Sequence, residues 1–200
     1  TIQGIFNAGS AAIRGIEVDL QASLVENLSV TASYSYLDAS IDRIDVPPDS
    51  TFDSARNPAS PYSVGDNAKD AFVIPFSPKH SVDLGADYTM LRRGADSLTL
   101  HLDYQYHGGS YQLPTYGPAA HGHNFGRVPS YGLFNGRLAI ATTLPQGDRV
   151  SLSLWGKNLF NKEHIISVLG NGNNLTGFSS SAAAWAPPRS YGVTITYEYG

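Results

Sequence analysis

The chain has 200 residues, 42% of them hydrophobic, which is too apolar for a disordered chain and enough for one large domain or a piece of something bigger. No run reaches the roughly 18 uninterrupted apolar residues of a membrane helix. Thirteen Lys and Arg against 17 Asp and Glu, with no basic run, exclude a nucleic-acid partner, and the lack of cysteine excludes disulfides, thiolate metal sites and a cysteine nucleophile.

Twenty Gly, 12 Pro and 12 Tyr against a single Met favour strands and turns over helices, so the fold class is all-β. Thr1 to Phe6 has neither an initiator Met nor an apolar leader and reads as the end of a partial strand, as in a mature product or a fragment. Period-2 alternation then marks seven strands with two unlike faces. Ile16, Val18, Leu20 and Ala22 oppose Glu17, Asp19 and Gln21. Leu28, Val30, Ala32, Tyr34 and Tyr36 oppose a row of Ser and Thr. Val82 to Met90 sets Val82, Leu84, Ala86, Tyr88 and Met90 against Ser81, Asp83, Gly85 and Asp87. Leu98 to Tyr106 sets leucines and tyrosines against Thr99, His101, Asp103, Gln105 and His107. Leu133 to Thr142 is weaker, with Phe134, Leu138 and Ile140 against Asn135 and Arg137. Val150, Leu152 and Leu154 oppose Ser151, Ser153 and Lys157, with Trp155 on the polar face. Tyr191, Val193, Ile195, Tyr197 and Tyr199 oppose Gly192, Thr194, Thr196 and Glu198. All 12 prolines fall outside these segments, as the missing N–H requires of paired strands.

Connections 23–27, 91–96 and 143–148 are short and alternate with the long ones 39–79, 108–130 and 161–189, although ordinary connections have a median of about 4–6 residues. One tight and one elaborate end is the asymmetry of a transmembrane antiparallel β-barrel of the outer membrane. Tyr34, Tyr36, Tyr104 and Tyr106 stand at the elaborate end and Tyr88, Tyr197 and Tyr199 at the tight one, which supplies an aromatic ring to each membrane interface. The run Ser29, Thr31, Ser33, Ser35 is too small to fill a narrow lumen, so the barrel is expected to be wider than eight strands. With the partial strand near Phe6 the chain supplies about eight of the roughly 22 strands of a plugged transporter.

Four stretches resemble the TonB-dependent outer-membrane receptors. Asn7-Ala8-Gly9 with Arg14-Gly15-Ile16-Glu17-Val18 resembles a loop-to-strand signature of those barrels, and Asn158-Leu159-Phe160-Asn161-Lys162 resembles their Asn-Leu-Phe-Asn/Asp-Lys/Arg signature. Pro187-Pro188-Arg189-Ser190-Tyr191-Gly192 resembles the approach to the final strand. The stepped aromatics of that strand resemble the signal read by the barrel-assembly machinery, although the family ends it on an aromatic and here Gly200 follows Tyr199. The resemblance implies that residues 1–200 are the C-terminal segment of the receptor barrel, with the plug and TonB box outside this chain. It further implies active import of ferric siderophores or another large scarce solute across the cell outer membrane, energised through the TonB complex. Residues 39–79, 108–130 and 161–189 would face outside.

Several residues invite chemistry. His107, His121 and His123 lie in or beside one long loop, where His-x-His spacing suits a metal or haem iron, although solvated loop histidines are commoner. Tyr111, Tyr116, Phe125 and Arg127 in the same loop suit an anionic aromatic solute, or plain loop stabilisation. Glu17, Asp19, Asp83, Asp87, His101 and Asp103 would line the lumen, bonding the plug or a passing solute, or simply hydrated. The acids Asp38, Asp42, Asp45, Asp49 and Asp53 lack the glycine and terminal glutamate of a calcium loop and read as a solvated acidic loop. No hydrolase elbow, zincin pair or phosphate loop occurs, Ser110 beside His107 notwithstanding, so no enzyme and no cofactor are expected. The rival readings are a free-standing eight-stranded barrel acting as a surface-binding module and a soluble carbohydrate-binding β-sandwich.

Overall fold

The computed structural model describes residues 9–58, 60–113, 126–170 and 181–200. Its strands are β1 (Gly9–Val25), β2 (Leu28–Ile44), β3 (His80–Arg93), β4 (Asp96–His107), β5 (Ser110–Tyr111), β6 (Arg127–Val128), β7 (Tyr131–Thr143), β8 (Arg149–Lys157), β9 (Ile165–Gly170), β10 (Ser181–Trp185) and β11 (Ser190–Glu198). Seven of them form one antiparallel sheet in the order β1-β2-β3-β4-β7-β8-β11, with β1 and β11 as its edges. Every alternating segment found in the sequence lies in one of these seven strands, except that Tyr199 falls one residue past the end of β11, and the partial strand near Phe6 lies outside the described residues.

Register places the alternation as expected. Val82 pairs with Tyr34 and Tyr106, Tyr88 with Leu28 and Leu100, and Leu138 with Leu100 and Leu154, so one face is continuously apolar from β1 to β11. That face is uncovered: Ile195 is 74% and Val193 61% exposed. Among the described residues no large side chain is fully buried. Water would penalise this much open apolar surface, whereas lipid is the solvent it needs. Among the described residues no second sheet packs on either face of the seven-stranded one, as a sandwich would need, and β1 and β11 do not pair with each other, as a small closed barrel would need.

The elaborate end departs from the sequence reading. β1 and β2 run on past the apolar band, and there the pattern inverts: Arg14, Asp38 and Ser40 continue the face of Ile16 and Tyr36, while Ile13, Leu37, Ala39 and Ile41 take the inner face. The inversion at Ile16 and Tyr36 marks where lipid gives way to water. Both long connections 108–130 and 161–189 also contain paired strands, β5 with β6 and β9 with β10, too short or too irregular to show as alternation. The connection after β2 has its own small core of Val46, Ala68 and Ala71, with Phe52 stacked on Phe72 at 4.8 Å.

The tight end is closed by economical turns. Glu26-Asn27 joins β1 to β2, with Thr89 N–H donating to the Asn27 carbonyl at 2.8 Å. Gly94, at φ 57°, supplies the left-handed residue of the two-residue β3–β4 turn. Between β7 and β8 the Asp148 carboxylate accepts from the Tyr197 hydroxyl and, at 3.2 Å, from the Gly200 N–H. These bonds, the Tyr197 one first, hold its carboxyl below the usual aspartate range.

Two tests follow from this arrangement, both on the full-length protein in phospholipid vesicles. Leu100→Arg puts a cation on the lipid face and should cost roughly 2–4 kcal/mol of folding free energy in urea titrations, whereas Thr99→Arg on the opposite face should cost far less; equal costs would contradict the face assignment. The folded pKa of Asp148 is lowered, so its stabilisation is present above the ordinary aspartate value of about 3.9 and is lost as pH falls through the lowered value. Tyr197→Phe should therefore shrink the loss of stability on acidification, and an unchanged acid limb would reject this role for the bond.

Candidate functional site

The polar face of the sheet collects six of the residues singled out above. Glu17 and Asp19 stand on β1, Asp83 and Asp87 on β3, and His101 and Asp103 on β4. Cross-strand pairing brings Asp87 opposite His101, and their carboxylate oxygen and Nδ1 lie 2.8 Å apart. His101 Nε2 is 3.8 Å from Asp103, so one imidazole stands between two carboxylates. Ser33 donates to Asp19 at 2.6 Å and Asn135 to Asp103 at 2.6 Å. The acids gather on β1, β3 and β4, while Arg137 and Lys157 occupy the same face of β7 and β8 with Trp155 beside them. Trp155 lies flat because it faces Gly192: a Cβ there would sit 2.1 Å from its Cζ2, and its Nε1 donates to Thr194 at 3.2 Å.

At the outer end the structure redistributes the loop candidates. His107 lies parallel to Tyr131 at 5.4 Å, with its Nδ1 2.8 Å from the Gly108 carbonyl oxygen. The other side of the loop cluster supplies His164, whose ring is 4.1 Å from that of Tyr131. Tyr111 and Arg127 pair across the β5–β6 ribbon, and Ser110 beside Tyr111 is buried. Tyr116, His121, His123 and Phe125 lie outside the described residues. Among the described residues no three His, Asp or Glu side chains gather as a metal would need.

The acid run is structurally occupied rather than simply solvated. Asp45 bonds Arg43 at 2.6 Å, Asp49 bonds Arg56, and Asp53 accepts from the Ala55 N–H at 3.1 Å. Asp38 and Asp42 are exposed on β2.

Two of the four stretches that carried the resemblance, 158–162 and 187–192, turn out to bond each other. After β8 the chain reverses through Asn158 and Asn161, at φ 52° and 50°, a region that asparagine tolerates better than most residues. Asn158 donates from Nδ2 to the Lys162 carbonyl at 3.0 Å and accepts the Lys162 N–H at 2.8 Å. Its own N–H donates to Asn135 Oδ1 at 2.8 Å, and Asn135 in turn holds Asp103 on the polar face. Asn161 Oδ1 accepts from the Arg189 N–H at 3.0 Å, and Arg189 Nη1 donates to the Leu159 carbonyl at 3.3 Å. Leu159 meanwhile folds back onto the apolar face, where a Cβ at Gly156 would meet its Cδ2 at 2.5 Å, and Phe160 lies 5.5 Å from Phe134. Tyr131 and Gln112 carry no sequence motif and escape pattern reading, whereas Asn135 had a signal as a polar residue on a polar strand face.

One open sheet with a lipid-facing band, a charged inner wall, tight turns at one end and elaborated loops at the other defines a segment of an outer-membrane β-barrel. The family described as TonB dependent receptor-like, beta-barrel matches residues 2–159, and the chain belongs to it. The family is one of outer-membrane transport proteins, not enzymes. Over 193 residues the chain is 26% identical to the ferrichrome outer membrane transporter and phage receptor of Escherichia coli K12, covering 96% of this chain but only 20% of that protein. The ferric yersiniabactin uptake receptor of Yersinia pestis superimposes with a TM-score of 0.62 at 18% identity, over 96% of this chain and 24% of that one. The ferric preacinetobactin receptor of Acinetobacter baumannii does so at 0.58 and 21%, over 97% and 23%. The chain thus spans between a fifth and a quarter of the length of these relatives.

The Asn158 corner yields a direct test. Asn158→Ala removes both side-chain bonds to Lys162 and leaves a left-handed residue with a Cβ and no compensating amide, so it should lower stability by about 1–3 kcal/mol. Urea unfolding of the full-length receptor measures this; a loss within error of zero would show that the corner is held by other contacts.

Proposed function

We propose that this chain is the C-terminal segment of a plugged barrel of about 22 strands, whose remainder carries the plug and TonB box, and that the whole protein imports ferric siderophores or another large scarce solute. The observation that carries this reading is the pairing of a broad polar inner wall with three built-up loops at one end. A passive scaffold needs neither. Iron chelates are favoured because the relatives reported above are named for ferric or ferrichrome ligands. Solute contact is assigned to the outer mouth, at His107, Tyr111, Tyr116, His121, His123, Phe125 and Arg127. Tyr and Arg suit the π-faces and anionic groups of such chelates. Glu17, Asp19, Asp83, Asp87, His101 and Asp103 are assigned to the wall against which the plug sits and past which the solute moves. TonB is the partner through the plug-bearing part, and the barrel-assembly machinery through β11.

Uptake of iron-55 supplied as ferrichrome or ferric citrate, in cells lacking their other receptors, tests this reading. Accumulation of at least one chelate that depends on the full-length protein, and that collapses when TonB is deleted, is the expected result. Accumulation that persists without TonB would replace active transport with passive diffusion. No accumulation of either chelate would reject the iron assignment.

A further inference from the structure

Within the β9–β10 hairpin the register skips one residue. Ser167 pairs with Ala184 and Ile165 with Trp185, so Ile166 is a bulge with no partner on β10. Its carbonyl is not wasted: Gln112 Nε2 donates to it at 2.9 Å. The Val168 N–H donates to Gln112 Oε1 at 2.6 Å. A single side-chain amide therefore pairs with β9 as a residue of a neighbouring strand would, across 54 to 56 positions of sequence.

The same dipeptide reaches the other loops. The Gln112 N–H donates to the Gly126 carbonyl at 2.8 Å, which closes the β5–β6 ribbon. The Tyr111 carbonyl accepts from the Phe76 N–H at 2.7 Å, and Phe76 is held at φ 54°, a conformation that costs a phenylalanine energy and needs an anchor. Tyr111 and Gln112 together thus touch the connections that follow β2, β4 and β8.

We propose that Gln112 is a positioning residue whose side-chain amide latches the connection after β8 to the one after β4, which the Tyr111 carbonyl already ties to the connection after β2, so that groups on the three outer loops meet the solute in a fixed arrangement. The assignment of solute to this mouth rests on the function proposed above; the latch itself does not. Multi-loop sites lose affinity when their parts move independently, because the ordering cost then falls on binding.

The test uses the full-length receptor in outer-membrane vesicles, spin-labelled at Val64→Cys and Ala183→Cys, both exposed and on different loops. Gln112→Ala removes the amide, and Gln112→Met keeps its length and bulk but cannot bond. The expected result is a narrow label-to-label distance distribution in the parent and a clearly broadened one in both variants. Their half-saturation concentration for whichever of ferrichrome or ferric citrate the parent accumulates should rise about fivefold or more at an unchanged maximal uptake rate. Unchanged distance distributions in both variants would overturn the latch. Broadened distributions with unchanged half-saturation, or a fall in maximal rate alone, would overturn the positioning role. If the parent accumulates neither chelate, the proposed transport falls, while the distance distributions still decide the latch.

Discussion

Lipid cannot hydrogen-bond to peptide groups, and almost everything in this chain answers to that fact. Each N–H and C=O inside the membrane must find its partner on a neighbouring strand, so the strands run antiparallel in one unbroken ladder from β1 to β11. The same ladder makes side chains alternate between lipid and lumen with no freedom to slip, since a one-residue shift would put Asp83, Asp87 and Asp103 into hydrocarbon. Among the described residues the ladder ends at β1 and β11, whose outer edges have no strand beside them. Prolines are excluded from the spanning strands for the same reason.

Outside the lipid the rule relaxes, and the chain changes character at once. β1 and β2 keep pairing beyond Ile16 and Tyr36 while exchanging which face is apolar, because water now lies where lipid did. The loops form small cores, ribbons and bulges that a membrane would not permit. Their order comes from local polar bonds, such as Asp53 over its turn and Gln112 on the bulge at Ile166, rather than from a large apolar interior.

The Asn158 corner joins the two regimes. Its asparagines supply left-handed backbone and bond the N–H and carbonyl of Lys162, while Leu159 and Phe160 return to the apolar face and Arg189 is captured just before β11. Asn135 links that corner to Asp103 on the inner wall. The motif that most resembles the family is therefore a structural clasp, and its residues need not touch solute at all.

How much of this was legible beforehand depends on the range of the interaction. Alternation is a local property, so the seven long strands, their apolar and polar faces, the tight and elaborate ends, and the shared polar face of Glu17, Asp19, Asp83, Asp87, His101 and Asp103 could be read from residue order. Bonds between distant positions have no such signature. Nothing in the sequence around Gln112 points to Ile166 and Val168, nothing around His107 selects Tyr131 and His164, and Asn161 does not advertise Arg189. Period and polarity by themselves determined which residues face lipid; only the folded chain, by bringing loop ends together across tens of residues, decided which polar groups hold one another.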